Sequence, residues 1–193
     1  FSQIIFYFFN KGLKKHTLRY FALACLFLGF FISTKFYSSG VPIMASLFIV
    51  LIVHKYWSKL FDLLKVSWIP VFVLLSTYLR VFAFGTTPRE FLGIQKWIFW
   101  YWQGALMLPF TVWDLLFFNR WHTWWDGNKI LSDSQWNIMW PIITVISAIT
   151  IILYVFKKIP KKIELEVLLA FVVCYSAFLS VGLPTVRYFV IYL

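Results

Sequence analysis

Trp97-Ile-Phe-Trp-Tyr-Trp-Gln-Gly-Ala-Leu-Met-Leu-Pro-Phe-Thr-Val-Trp-Asp-Leu-Leu-Phe-Phe118 is long enough to cross a bilayer as a helix, yet its residues suit the boundary better than the interior. A hydrocarbon core about 30 Å thick takes about 20 helical residues. Indole and phenol rings favour the membrane–water interface. Trp97, Trp100, Tyr101, Trp102 and Trp113, continued by Trp121, Trp124 and Trp125, give the stretch the composition of an aromatic belt. Pro109 and Asp114 interrupt it further. We expect it to lie along the interface rather than to cross.

The basic residues on either side point the same way. Lys11, Lys14, Lys15 and Arg19 form one cluster, Lys55, Lys59 and Lys65 a second, and Lys157, Lys158, Lys161 and Lys162 a third, 11 of the 18 basic residues in all. If Trp97–Phe118 crossed once, the third cluster would face away from the first two, against the tendency of lysine and arginine to stay cytoplasmic. If it does not cross, all three clusters share the cytoplasmic side.

Composition explains why a bilayer enters the reasoning at all. Of 193 residues, 62% are hydrophobic, 23% aromatic and only 13% charged, against about 45–50% apolar and about 25% charged in soluble domains. A mean hydropathy of +0.81 excludes a disordered or collagen-like chain. The net charge of +11 would suggest nucleic acid in a soluble protein. Here the charge sits in short clusters between apolar runs, which is an orientation signal, and no nucleic-acid partner is expected. Cys25 and Cys174 lie inside apolar runs and read as small buried hydrophobes.

Five segments are expected to span: Leu18–Thr34, Val41–His54, Val66–Phe84, Trp136–Phe156 and Leu165–Gly182. The fold class is therefore all-α, a polytopic integral membrane bundle of about five full spans, with partial spans at both ends and interfacial outer helices. Phe1–Phe9 reads as the cytoplasmic end of an earlier span, and the residues after Arg187 as re-entering the bilayer. The chain, residues 1–193, is expected to be one transmembrane domain cut as a window from a longer protein. Residues 85–135 form its non-cytoplasmic interfacial segment, in which Arg89, Lys96, Arg120 and Lys129 balance Glu90, Asp114, Asp126 and Asp133.

Soluble-enzyme motifs are absent: no glycine-rich phosphate loop, no Gly-x-Ser-x-Gly, no Cys-x-x-Cys and no His-Glu-x-x-His. His122 and Asp126 stand at helical i, i+4 spacing, but two such ligands without a third leave no metal site expected. No cofactor is expected. His16 and His54 sit in basic contexts suited to lipid headgroups. Asp114 is the acid embedded in an apolar run; a second functional carboxylate is one reading, and pairing with Arg120 or plain exposure at the interface is the favoured one. The informative cations are those at the outer ends of spans, because a charge at the edge of hydrocarbon costs free energy unless it snorkels or meets an anion. Lys35 and Arg187 qualify, with Arg80 and Arg89 less clearly placed. Their headgroup-anchoring role competes with a grip on the phosphate of a lipid-linked substrate.

Taken together, Thr34-Lys35 and a short turn to Gly40, the outer Phe84-Gly-Thr-Thr-Pro-Arg-Glu-Phe-Leu-Gly-Ile-Gln95 followed by Trp97 and Pro109, and the late Leu183-Pro-Thr-Val-Arg-Tyr188 resemble the C-terminal half of a GT-C fold membrane glycosyltransferase. The likeness is to bacterial proteins similar to the GPI mannosyltransferase 2 (PIG-V) family, with glycosyltransferase family 39 close behind, and it runs from about Leu18 to the end. It implies transfer of a sugar, as in mannosyltransferases, from a polyprenyl-phosphate donor to a glycan, lipid or protein acceptor on the outer or lumenal face. In that family an acid in the first outer loop acts as general base, so the base would precede Phe1. Arg187 with Tyr188 matches the family's late Pro-Arg-Tyr-like element, although Thr185 and Val186 separate Pro184 from Arg187 here. Lys35 matches its basic residue after the early span. The implied role of both is to grip the donor phosphate as it becomes the leaving group. Gln95 matches a glutamine of the outer interfacial helix that touches acceptor or donor.

A transporter or flippase of a lipid-linked sugar is the alternative. It would more often carry ionisable residues at mid-span, whereas Leu18–Thr34, Val41–Val53 and Ile142–Phe156 hold only Arg19, at one extremity. A structural membrane subunit would leave the long outer segment unexplained. The expected location is an integral membrane one, with a bacterial plasma membrane favoured over the endoplasmic reticulum.

Overall fold

A computed structural model of the chain describes residues 2–15, 17–33, 37–103, 110–123 and 129–181. The chain is mostly helical, with almost no sheet. In order, the helices are α1 (Ser2–Lys15), α2 (Leu18–Phe31), α3 (Tyr37–Val53), α4 (Trp57–Val66), α5 (Ile69–Thr77), α6 (Leu79–Ala83), α7 (Pro88–Gln103) and α8 (Thr111–Phe118). The short strands β1 (Trp121–His122) and β2 (Ile130–Leu131) follow, then α9 (Met139–Val155) and α10 (Ile163–Val181). Each of the five segments expected to span is helical over most of its length. The helical run Trp57–Ala83, 27 residues, and Ile163–Val181, 19 residues, are long and apolar enough to cross a membrane. Leu18–Phe31, Gly40–Val53 and Met139–Val155 are shorter apolar helices.

The residues divide into two compact units. Unit 1 comprises the chain up to Tyr78 together with Thr150–Tyr175. Its first helix is amphipathic, burying Ile5, Phe6, Phe9, Gly12 and Leu13 along one stripe. That stripe packs on α2, where Phe9 meets Phe21 edge-on at 5.7 Å and Phe8 stacks on Phe27 at 5.5 Å. The α2 helix is apolar all round and also packs on α4 and α5. Gly29 makes the α2–α5 approach possible: a Cβ there would stand 2.7 Å from Val73 Cβ and 3.1 Å from Pro70 Cα. Small residues at such crossings let two backbones come close without side-chain intervention.

Helices α3 and α9 end alike. The Tyr56 N–H donates to the Leu51 carbonyl and the Lys55 N–H to that of Ile52, while Lys158 and Lys157 do the same to Leu153 and Tyr154. These are Schellman caps, in which the residue after the helix turns left-handed. Lysine fills that position in both, at φ 56° for Lys55 and for Lys157. The backbone conformation is less comfortable than it would be for glycine, but it sets a cation beside the negative end of the helix dipole.

Unit 2 comprises Leu79–Ile149 and the residues from Ser176 on. Its α7 begins with a capping box: the Thr87 N–H and hydroxyl both donate to the Glu90 carboxylate, and the Glu90 N–H returns a bond to the Thr87 hydroxyl. Pro88 takes the first helical position, where its missing N–H costs nothing. The α8 helix is enclosed by left-handed residues, Phe110 before it and Asn119 after it. It is tied down by three bonds: the Phe110 N–H to the Ser180 carbonyl, the Trp113 indole N–H to the Ser180 hydroxyl at 2.9 Å, and the Trp136 indole N–H to the Leu116 carbonyl at 3.0 Å. The two strands pair antiparallel, Trp121 with Leu131 and His122 with Ile130.

Candidate functional site

Of the residues singled out for donor binding, Lys35, Arg187 and Tyr188 lie outside the described residues. Gln95 is half-buried on α7. Glu90, Gly93, Ile94 and Trp97, at i, i+3, i+4 and i+7, share one face of that helix. With Phe84, Gly85 and Thr86 opposite, they line a cleft of about 680 Å³. Gly85 sits at φ +94°, which only glycine adopts freely, and its Cβ position opens onto space. Gln95 stands off the cleft face. The Glu90 carboxyl is held below its usual range by the Thr87 N–H first and the Thr87 hydroxyl second, so it is ionised and committed to the helix start.

Two pairings differ from expectation. His122 lies in β1, so its supposed helical spacing to Asp126 does not exist; Asp126 itself lies outside the described residues. The His122 ring instead approaches the Asp114 carboxylate, Nε2 to Oδ2 at 3.4 Å. The Asp114 side chain is 47% exposed, as one of the two favoured expectations for it has it, and faces histidine rather than Arg120, whose guanidinium lies over the Phe118 ring at 5.7 Å. Only the Arg120 backbone reaches Asp114, its N–H donating to the Asp114 carbonyl. Among the described residues, no three His, Cys, Asp or Glu side chains gather as a metal set.

Among the described residues, the densest polar constellation lies in unit 1, where the three basic turns converge. The Lys14 ammonium pairs with Glu164 at 2.5 Å, joining the end of α1 to the start of α10. Lys59 donates to the Leu13 carbonyl at 2.6 Å and covers the Tyr56 ring at 4.6 Å. His54 stacks on Tyr56 and pairs with the Glu166 carboxylate, whose other oxygen accepts the Tyr154 hydroxyl. Glu166 is only 12% exposed. A carboxylate that buried is retained only where donors replace its lost water, and here two do. His54 was expected to meet headgroups; it meets Glu166 instead.

From this cluster runs a groove of about 580 Å³. The α3 helix contributes Ile49, Val50 and Val53, and α9 contributes Ile151. Leu169, Ala170, Val173 and Cys174 come from α10, and His54, Tyr154, Glu166 and Lys161 close the polar end. Cys25 is buried, as its place in an apolar run predicts, whereas Cys174 is only half-buried, on the groove wall.

The Glu166 cluster was missed because His54 and Glu166 are 112 residues apart in sequence. A signal existed: Asp62, Glu164 and Glu166 are the acids set among the lysine clusters. An acid in such company, at the start of an apolar helix, is positioned to pair. No protein-family model, curated protein or solved structure matches the chain.

Proposed function

We propose that the chain is part of a polytopic, all-helical membrane protein, oriented with its lysine-rich turns in the cytoplasm. Its function in this reading is that of a glycosyltransferase using a polyprenyl-phosphate-linked sugar at the opposite face. The observation that supports the membrane reading best is the meeting of all three basic clusters at one end of unit 1, through Lys14–Glu164, Lys59–Leu13 and His54–Glu166. Away from that end the helices are apolar on faces that protein does not cover. Ile142, Ile146, Ile149 and Ile152 of α9 are 43–58% exposed, a burden in water that lipid removes.

The transferase reading is supported by the resemblance of the segments around Lys35, Gln95 and Arg187 to GT-C enzymes. The capped, aromatic-rich outer helices and the cleft beside Glu90 are compatible with it, since a sugar phosphate fits within about 300–1,000 Å³. In this proposal Lys35, Arg187 and Tyr188 hold the donor phosphate, and Gln95 touches donor or acceptor. The acceptor is a glycan, lipid or protein, and the membrane a bacterial plasma membrane.

The test is sugar transfer from a radiolabelled polyprenyl-phosphate donor by membranes carrying the full-length protein. Arg187→Ala removes a charge-assisted phosphate contact worth about 1.5–3 kcal/mol, so kcat/KM should fall by about 10- to 150-fold. Unchanged kinetics would remove Arg187 from the site, and absence of any transfer by the unaltered protein would end the transferase reading.

A further inference from the structure

The groove of unit 1 belongs to neither the outer cleft nor the residues assigned to the donor, and its chemistry is that of an amphiphile site. One end is lined by aliphatic side chains that protein leaves open: Val53 is 70% exposed and Val173 52%. The other end is polar and cationic. Its acids are already compensated, Glu166 by His54 and Tyr154, and Glu164 by Lys14. Against those two acids the link between α9 and α10 sets Lys157, Lys158, Lys161 and Lys162, all exposed. Lys161 lines the groove itself, within electrostatic reach of the Glu166 carboxylate. Four lysines against two carboxylates leave an excess of positive charge at the groove mouth.

We infer that this groove holds one acyl chain of an anionic membrane phospholipid, with the headgroup phosphate on Lys161 beside the His54–Glu166–Tyr154 cluster. The charge complementarity selects the occupant. A zwitterionic lipid would bring its own cation to a lysine-rich rim, and a purely apolar helix would leave that rim without a counter-charge. Each lysine near an anionic headgroup contributes about fivefold in affinity, while the aliphatic floor of α3 and α10 supplies tail burial. The consequence is a lipid contact at the cytoplasmic end that staples the ends of α3 and α9 to the start of α10. The inference rests on the membrane reading of this unit and is independent of sugar transfer.

Native mass spectrometry of the full-length protein, delipidated in mild detergent and titrated with phosphatidylglycerol or phosphatidylcholine, tests it. One phosphatidylglycerol per chain should persist under activation that strips phosphatidylcholine. Lys161→Ala should weaken that retention about fivefold, and Val173→Trp, which fills the groove from an exposed position, should abolish it. Equal retention of both lipids, indifference to Lys161→Ala, displacement by inorganic phosphate alone, or a dimer that excludes lipid from the groove would each overturn it. Alkaline carbonate extraction of the same membranes reads the membrane assignment separately. Because neither donor nor acceptor is present, failure of the transferase reading leaves the result unaffected.

Discussion

Replacing Gly29 with alanine should loosen unit 1, although alanine is the better helix former. The added methyl would stand 2.7 Å from Val73 Cβ, 3.0 Å from Val73 Cγ2 and 3.1 Å from Pro70 Cα, where ordinary contact begins at 3.4 Å. Two of those three atoms belong to the backbone of α5 or sit directly on it, so no rotamer change makes room and the helices must part by several tenths of an ångström. Overpacking of this kind costs about 1–3 kcal/mol, offset by about 1 kcal/mol of helix propensity gained over glycine. A net destabilisation of up to about 2 kcal/mol follows. A double-mutant cycle with Val73→Gly separates the two contributions, because the propensity gain at position 29 appears on both sides of the cycle and cancels. Unfolding of the protein in mixed micelles by a denaturing detergent, followed by tryptophan fluorescence, should return a coupling of about 1–3 kcal/mol. Additivity within about 0.5 kcal/mol, or stabilisation by the full propensity gain in the Gly29→Ala variant, would refute the close α2–α5 approach.

Glu166→Ala should leave the His54 ring and the Tyr154 hydroxyl without their acceptor and cost about 1–3 kcal/mol in the same unfolding assay. Glu166→Gln, which keeps one acceptor oxygen, should cost less; equal stability of all three proteins would deny the pairing. The Glu90 carboxyl titrates in the direction set by Thr87. Its ordinary value is near 4.5 and folding lowers it, so its contribution to the start of α7 is complete above about pH 4.5 and disappears as the pH falls through the lower folded value. Amide exchange at Glu90 and Phe91, corrected for intrinsic rates, should quicken below that pH, and Glu90→Gln should flatten the dependence; a flat profile in the unaltered protein would exclude the capping box.

The helical segments were legible because their apolar runs are long and hold few charges, Arg19, Arg80 and Glu166 among them. Their ends were less so. Lysine in a left-handed cap at Lys55 and Lys157 carries no glycine to announce it, and the start of α4 at Trp57 lies within a basic cluster. The β1–β2 pairing escaped because His122 and Asp126 were taken at helical spacing, although Asp126-Gly127 is turn chemistry suited to a hairpin. In the candidate sites, the convergence of the basic turns could be anticipated from the charge clusters, since each cluster stands at the end of an apolar run. That Glu166 would pair could be anticipated from its lysine-rich surroundings, but not with what, because His54 just past α3, Tyr154 of α9 and Glu166 of α10 are brought together only by tertiary packing. Asp114 shows the same limit: Arg120 is the nearer basic residue in sequence, but a hairpin strand carries His122 back to it.

Sided labelling tests the central claim, that the lysine turns face one compartment and the tryptophan-rich segment the other. In a cysteine-free full-length background, Lys59→Cys and Lys161→Cys should react with a membrane-impermeant maleimide only from the cytoplasmic face, and Lys129→Cys only from the opposite face. Lys59→Cys and Lys161→Cys labelled from different faces, or Lys129→Cys labelled together with Lys161→Cys, would contradict the account.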